Sequence, residues 1–117
     1  MEKITATSIF ESLSSGLRLD AYRLLVKQGS NGLVAGEIAT ALDVPPTNLS
    51  FHLKALTQAG LVTAQQEGRF QRYRANIPLM LELIAYLTEE CCAGHPEQCA
   101  DLRAQSSCAP AVLPPLT

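Results

Sequence analysis

Two helical periodicities meet at a double proline, and that junction limits the fold more than any other feature of the chain. Val34 to Leu42 places Ala35, Ile38, Ala39 and Leu42 at helical spacing, and Asp43-Val44-Pro45-Pro46 interrupts the run. Proline cannot continue a helix, but it is tolerated in the first turn of a new one. The new helix runs from Pro46 to about Ala59, with Leu49, Leu53 and Leu56 as its buried stripe and Gly60 as its stop. Thr47, Asn48, Ser50, Phe51, His52 and Lys54 fall largely on its other faces. Two helices joined by a short turn, the second rich in small polar side chains, make a helix-turn-helix pattern. Its second helix has the size to enter a major groove. Asn, Ser, Thr and His suit base edges, and Lys54 suits a phosphate. Taken alone, the same segment is also compatible with an ordinary surface helix of a bundle.

The flanking sequence sharpens the choice. Leu61 to Gln65 and Phe70 to Ala75 are strand-like, and Glu67-Gly68-Arg69 between them supplies a hairpin turn. Arg69, Arg72 and Arg74 decorate this hairpin, whose tip can reach the backbone or the minor groove. A hairpin directly after a helix-turn-helix is the winged-helix arrangement. Upstream, Thr5 to Leu13 reads as a short helix with Ile9, Phe10 and Leu13 on one side. Ser15 is positioned to cap a second helix, Leu17 to Gln28, which Gly29 stops. Downstream, Asn76 can cap a last helix that tolerates Pro78 in its first turn. That helix carries two apolar stripes, Ile77, Met80, Leu81 and Ile84, and Leu79, Leu83, Tyr86 and Leu87. A helix apolar nearly all round needs cover on two sides. A second copy of the chain would supply it, so the expected assembly is a homodimer through the first and last helices, with Ile9, Phe10, Leu79, Leu83 and Leu87 at the interface. The expected class is mainly α with a β-hairpin wing, about five helices and two strands.

Charge distribution agrees with a DNA partner where total charge does not. The net charge is −2, yet between Val44 and Asn76 Lys54, Arg69, Arg72 and Arg74 face only Glu67, leaving that segment +3 and the remainder −5. A locally basic segment on an acidic body is the footprint of a surface that meets phosphate. No apolar run reaches membrane-spanning length, and Met1-Glu2-Lys3 lacks the basic-then-apolar pattern of a secretory signal. The expected compartment is the cytoplasm, where cysteines are more often ligands or reactive thiols than structural disulfides.

Those cysteines are the second constraint. The last helix is expected to run into Cys91-Cys92; Gly94, His95 and Pro96 then break it, and Cys99 brings back a third thiol. Soft ligands select soft ions, so the cluster suits a soft metal or a metalloid. Adjacent residues on an intact helix point about 100° apart, so the two thiols converge better if the helix frays at Cys92. Zinc, cadmium or lead is a rival occupant, because His95 or Cys108 would complete a four-coordinate set. Disulfide chemistry in a redox-sensing repressor is another. A thiol enzyme of the Cys-x5-Arg type is excluded: counting on from Cys91 gives Glu97, and from Cys92 gives Gln98. With no nucleophile–base pair and no phosphate-binding glycine loop, no enzyme is expected. Residues 1–92 are read as the DNA-binding and dimerisation domain, and 93–117 as a metalloid-binding loop and frayed tail.

Over Leu13 to Leu87 the chain resembles the ArsR/SmtB family of metal-responsive winged-helix repressors. The pieces that carry the resemblance are Ser50-Phe51-His52-Leu53-Lys54-Ala55-Leu56-Thr57-Gln58-Ala59-Gly60-Leu61-Val62 and Glu67-Gly68-Arg69-Phe70 with Tyr73. The resemblance implies a homodimer that binds a palindromic operator and leaves it when an inducer binds. Two departures matter. Arsenic-sensing members carry Cys-Val-Cys on the third helix, where this chain has Val34-Ala35-Gly36. Zinc-sensing members use Asp, His and Glu along the last helix, where this chain has Glu82, Glu89 and Glu90 but no His. The Cys91-Cys92…Cys99 cluster resembles another branch, in which arsenite binds at the end of the last helix. Arsenite, or Sb(III), is thus the implied inducer, with divalent soft metals and thiol oxidation as alternatives.

Overall fold

Residues 1–90, together with Ala93 and His95, are described by a computed structural model of the chain. The order of elements is α1 (Lys3–Ser12), α2 (Gly16–Gln28), a 3₁₀ turn (Gly29–Asn31), β1 (Leu33–Val34), α3 (Ala35–Leu42), α4 (Pro46–Gln58), β2 (Val62–Glu67), β3 (Phe70–Ala75) and α5 (Ile77–Leu87). These form two compact units, Glu2–Ile77 and a second made of Met1 and Pro78 onward. The first is a winged helix-turn-helix, as the sequence leads one to expect.

Local chemistry sets the boundaries. The Ser15 side chain accepts the Arg18 N–H at the start of α2. At the start of α3, the Glu37 carboxylate reaches back to the Val34 N–H at 3.0 Å. The end of α3 is a left-handed turn: Asp43 sits at φ 54, its N–H bonds Thr40 O, and the Val44 N–H reaches back to Ala39 O at 3.1 Å. Asp tolerates that conformation better than most residues, and the turn satisfies carbonyls the helix would otherwise leave bare. Pro46 then occupies the first turn of α4, where its missing N–H costs nothing.

The core of this unit is built from apolar side chains, with the Tyr22 hydroxyl as a buried polar atom among them. Ile9 of α1, Leu25 of α2, Ile38 of α3, Leu49, Leu53 and Leu56 of α4, and Leu61 and Val62 at the root of the wing are all buried. In α4 the buried leucines are spaced four and three apart, which turns the remaining faces of that helix outward.

Three strands, not two, make the sheet, in the order β1-β3-β2 and antiparallel throughout. The extra strand pairs Leu33 with Tyr73 and Val34 with Arg72. Two residues are too few to carry a period of two, so in sequence they merge with the third helix. Gly32, just before β1, has φ +59, and a Cβ there would run into the Tyr73 carbonyl and come within 2.8 Å of Arg74 Cγ. The hairpin closes through Gly68-Arg69, between the paired residues Glu67 and Phe70. Gly68 has φ +59 and Arg69 does not share that sign, the pattern of a type II′ turn with glycine at its first central position.

The last helix is shorter than expected. α5 ends at Leu87 and does not run on into the cysteines. The Thr88 hydroxyl bonds back to Ile84 O at 2.8 Å, and Glu90 takes φ 52. No basic residue stands in the last turn, and Glu89 and Glu90 follow directly where the helix dipole disfavours negative charge.

Candidate nucleic-acid interface

The outward face of α4 carries the polar side chains singled out from its sequence. Thr47, Asn48, Ser50, Phe51 and Lys54 are exposed, while His52 is half-buried. Neither Asn48 nor Ser50 is committed to a side-chain hydrogen bond within the described residues, so their donors and acceptors are available to base edges.

His52 has an internal partner. Arg18, on α2, donates from Nε to His52 Nδ1 at 3.0 Å. The guanidinium carbon of Arg18 also lies 5.7 Å from the centre of the Phe51 ring, and the Phe51 and His52 rings meet edge-on at 5.5 Å and 76°. One α2 cation therefore locks two consecutive residues of α4. Nothing in the sequence points to Arg18: it lies 34 residues from His52 and reads as an ordinary surface cation.

The wing sorts its three arginines. Arg72 donates from Nε to both Glu67 carboxylate oxygens, at 2.9 and 3.0 Å, and from a terminal nitrogen to Asn31 O. Arg74 donates to Ser30 O at 2.8 Å and to Gln65 Oε1 at 2.7 Å. Both spend their guanidinium groups tying the wing to the 3₁₀ turn. Arg69, at the hairpin tip, is exposed and makes no such bond among the described residues. Phe70 beside it is also exposed, at 62%. Sequence alone gives Arg69 and Arg72 the same role; their surroundings differ.

The residues expected at a dimer interface fall into two groups. Ile9 and Leu83 are buried within the single chain and Leu79 is half-buried, whereas Phe10 and Leu87 are exposed at 48% and 57%. Cys91, Cys92, Cys99 and Cys108 lie outside the described residues, and His95 is exposed. Among the described residues no three His, Cys, Asp or Glu side chains gather as a metal site, and no helix is long and apolar enough to cross a membrane.

With this geometry in view, four similarities identify the scaffold. A helix-turn-helix domain family matches residues 13–65. An uncharacterized helix-turn-helix transcriptional regulator of Methanocaldococcus jannaschii is 32% identical over 90 residues, covering 76% of this chain and 99% of the relative. Among solved structures, an ArsR-like transcriptional regulator from Rhodococcus sp. RHA1 superposes with a TM-score of 0.65 at 28% identity, covering 90% of this chain and 96% of the other. The homodimeric winged helix-turn-helix DNA-binding domain of a possible ArsR-family regulator from Mycobacterium bovis gives 0.58 at 29% identity, covering 78% and 84%. The chain belongs to the helix-turn-helix transcriptional regulators, in the winged form that its ArsR-family neighbours share.

Proposed function

We propose that this regulator is an arsenite-responsive repressor that binds operator DNA as a homodimer and releases it when As(III) binds Cys91, Cys92 and Cys99. The DNA half of the reading rests on one observation: an uncommitted polar face on α4 together with an uncommitted arginine at the wing tip. Thr47, Asn48, Ser50 and Phe51 face the major groove, Lys54 meets phosphate, and Arg69 meets the backbone or minor groove. His52 acts from behind, through its bond to Arg18. Arg72 stiffens the wing and adds positive potential at its flank.

The homodimer is supported by the M. bovis neighbour and by the exposed Phe10 and Leu87, apolar side chains that a second copy would cover. The inducer half is supported by donor chemistry and by where α5 ends. Three thiols within nine residues form a soft donor set, which favours a thiophilic centre over hard ions. The chain leaves helical geometry by Glu90, the residue directly before Cys91.

Operator-binding fluorescence anisotropy, titrated in parallel with arsenite, zinc and an oxidant, tests the whole reading. Arsenite alone should release the parent protein. Cys91→Ser, Cys92→Ser and Cys99→Ser should each bind operator and hold it in arsenite, while Cys108→Ser should respond like the parent. Release by zinc or by oxidant instead would transfer the cluster to metal or redox sensing. Release of Cys99→Ser by arsenite would reduce the site to Cys91-Cys92.

A further inference from the structure

Phe51 is the one large apolar side chain on the outward face of α4, and it is 67% exposed. It sits among Thr47, Asn48, Ser50 and Lys54, one turn or less away along the helix. An exposed phenylalanine in a polar face is an unspent hydrophobic contact. This one is also held: the His52 ring meets it edge-on, the Arg18 guanidinium lies over it, and Arg18 is itself fixed by its bond to His52 Nδ1. A ring already confined loses little freedom when it binds. The major groove offers such a ring one characteristic apolar group, the 5-methyl of thymine.

We propose that Phe51 reads a thymine 5-methyl group in each operator half-site, with Arg18 and His52 as the positioning residues that aim its ring. This rests on the reading that α4 enters the major groove. The readout is a van der Waals contact that excludes water, so it discriminates by the presence of one carbon atom and needs no hydrogen bond.

The test uses the full chain and duplexes that it selects from a random-sequence pool. Each thymine of a selected duplex is exchanged in turn for deoxyuridine, which deletes the methyl and leaves pairing unchanged. Binding by the parent should weaken about four-fold at one position of each half-site, the size expected for one buried methyl-sized group. In Phe51→Ala that position should become indifferent to the exchange. Arg18→Met and, independently, His52→Leu should lower the thymine-to-deoxyuridine affinity ratio towards one. Any phosphate attraction that the Arg18 charge supplies acts equally on both duplexes and cancels in this ratio. No sensitive thymine in the parent, or sensitivity that survives in Phe51→Ala, overturns the proposal. An unchanged ratio in both Arg18→Met and His52→Leu removes the positioning role. If the chain enriches no sequence, or if Asn48→Ala and Ser50→Ala leave its ranking of selected duplexes unchanged, the groove reading itself has failed and takes this proposal with it. If the ranking changes but no deoxyuridine exchange matters, the methyl proposal fails alone.

Discussion

Arg72 grips Glu67 across the wing hairpin, its Nε 2.9 Å from one carboxylate oxygen and 3.0 Å from the other, while Arg69 at the tip of the same hairpin holds nothing among the described residues. The two arginines should therefore fail differently. Arg69→Ala should weaken binding across all sequences and lower the slope of log affinity against log salt by about one, since one fewer counterion is released. Arg72→Ala should change that slope less, and should cost about 1 kcal/mol or less of stability, as expected for a partly exposed ion pair. Equal slopes for parent and Arg69→Ala would remove the wing tip from the interface.

Ser50→Ala should act on preference rather than on overall affinity. If Ser50 bonds a base edge, its loss costs about 1–3 kcal/mol on the preferred operator and little on unrelated DNA. Competition binding between the two duplexes measures the difference, and a uniform loss on both would place Ser50 against the backbone.

Gly32→Ala should be strongly destabilising although it adds a single methyl group. The position needs φ +59, and the new Cβ would meet the Tyr73 carbonyl, a backbone atom of the central strand. A loss of about 1–3 kcal/mol or more is expected in urea denaturation. A variant as stable as the parent would mean that β1 is free to pull away from β3.

Tyr22 gives a pH signature. It is buried, its hydroxyl has no hydrogen-bond partner among the described residues, and burial raises its pKa above the ordinary 10.0. The folded state disfavours the phenolate, so the contribution of Tyr22 to stability is fully present below pH 10. It is lost as pH rises towards the folded-state value, because the unfolded chain ionises first. Tyr22→Phe should flatten that alkaline loss, with stability at pH 7 equal or slightly higher, since an unsatisfied buried hydroxyl disappears. An identical alkaline unfolding profile would mean that another group drives it.

Leu87→Lys tests assembly without touching the core, because Leu87 is exposed in the single chain. Sedimentation should show monomers that keep the parent's circular dichroism and lose operator affinity. A tight dimer would exclude Leu87 from the interface. Leu83→Lys is the poorer probe: Leu83 is buried already, and a charge there threatens the fold itself.

What can be read from the sequence divides along a physical line. Elements defined by periodic apolar residues and bounded by Ser15, Gly29, Pro46, Gly60 or Gly68 are legible, because each boundary has a one-residue cause. The outward face of α4 is legible for the same reason: once Leu49, Leu53 and Leu56 go inward, Thr47, Asn48, Ser50, Phe51 and Lys54 must point out. β1 is not, since its pairing depends on residues some forty positions away. Nor are the Arg18–His52 bond and the commitment of Arg72 to Asn31, which exist only after distant segments meet. The end of α5 escapes a reading by apolar stripe alone, because Glu89 and Glu90 weigh against the helix where the stripe would extend it.

Val34 is both the last residue of β1 and the N-cap of α3. No linker separates the wing's sheet from the helix pair beside it, and Arg72 and Arg74 clamp the same junction through the carbonyls of Asn31 and Ser30. Wing and helices thus behave as one jaw of a caliper, with no joint of its own. Such a jaw cannot be loosened from DNA by bending it; it can only be moved whole. In the homodimer proposed above, release from DNA would then act on the gap between two such jaws rather than within one.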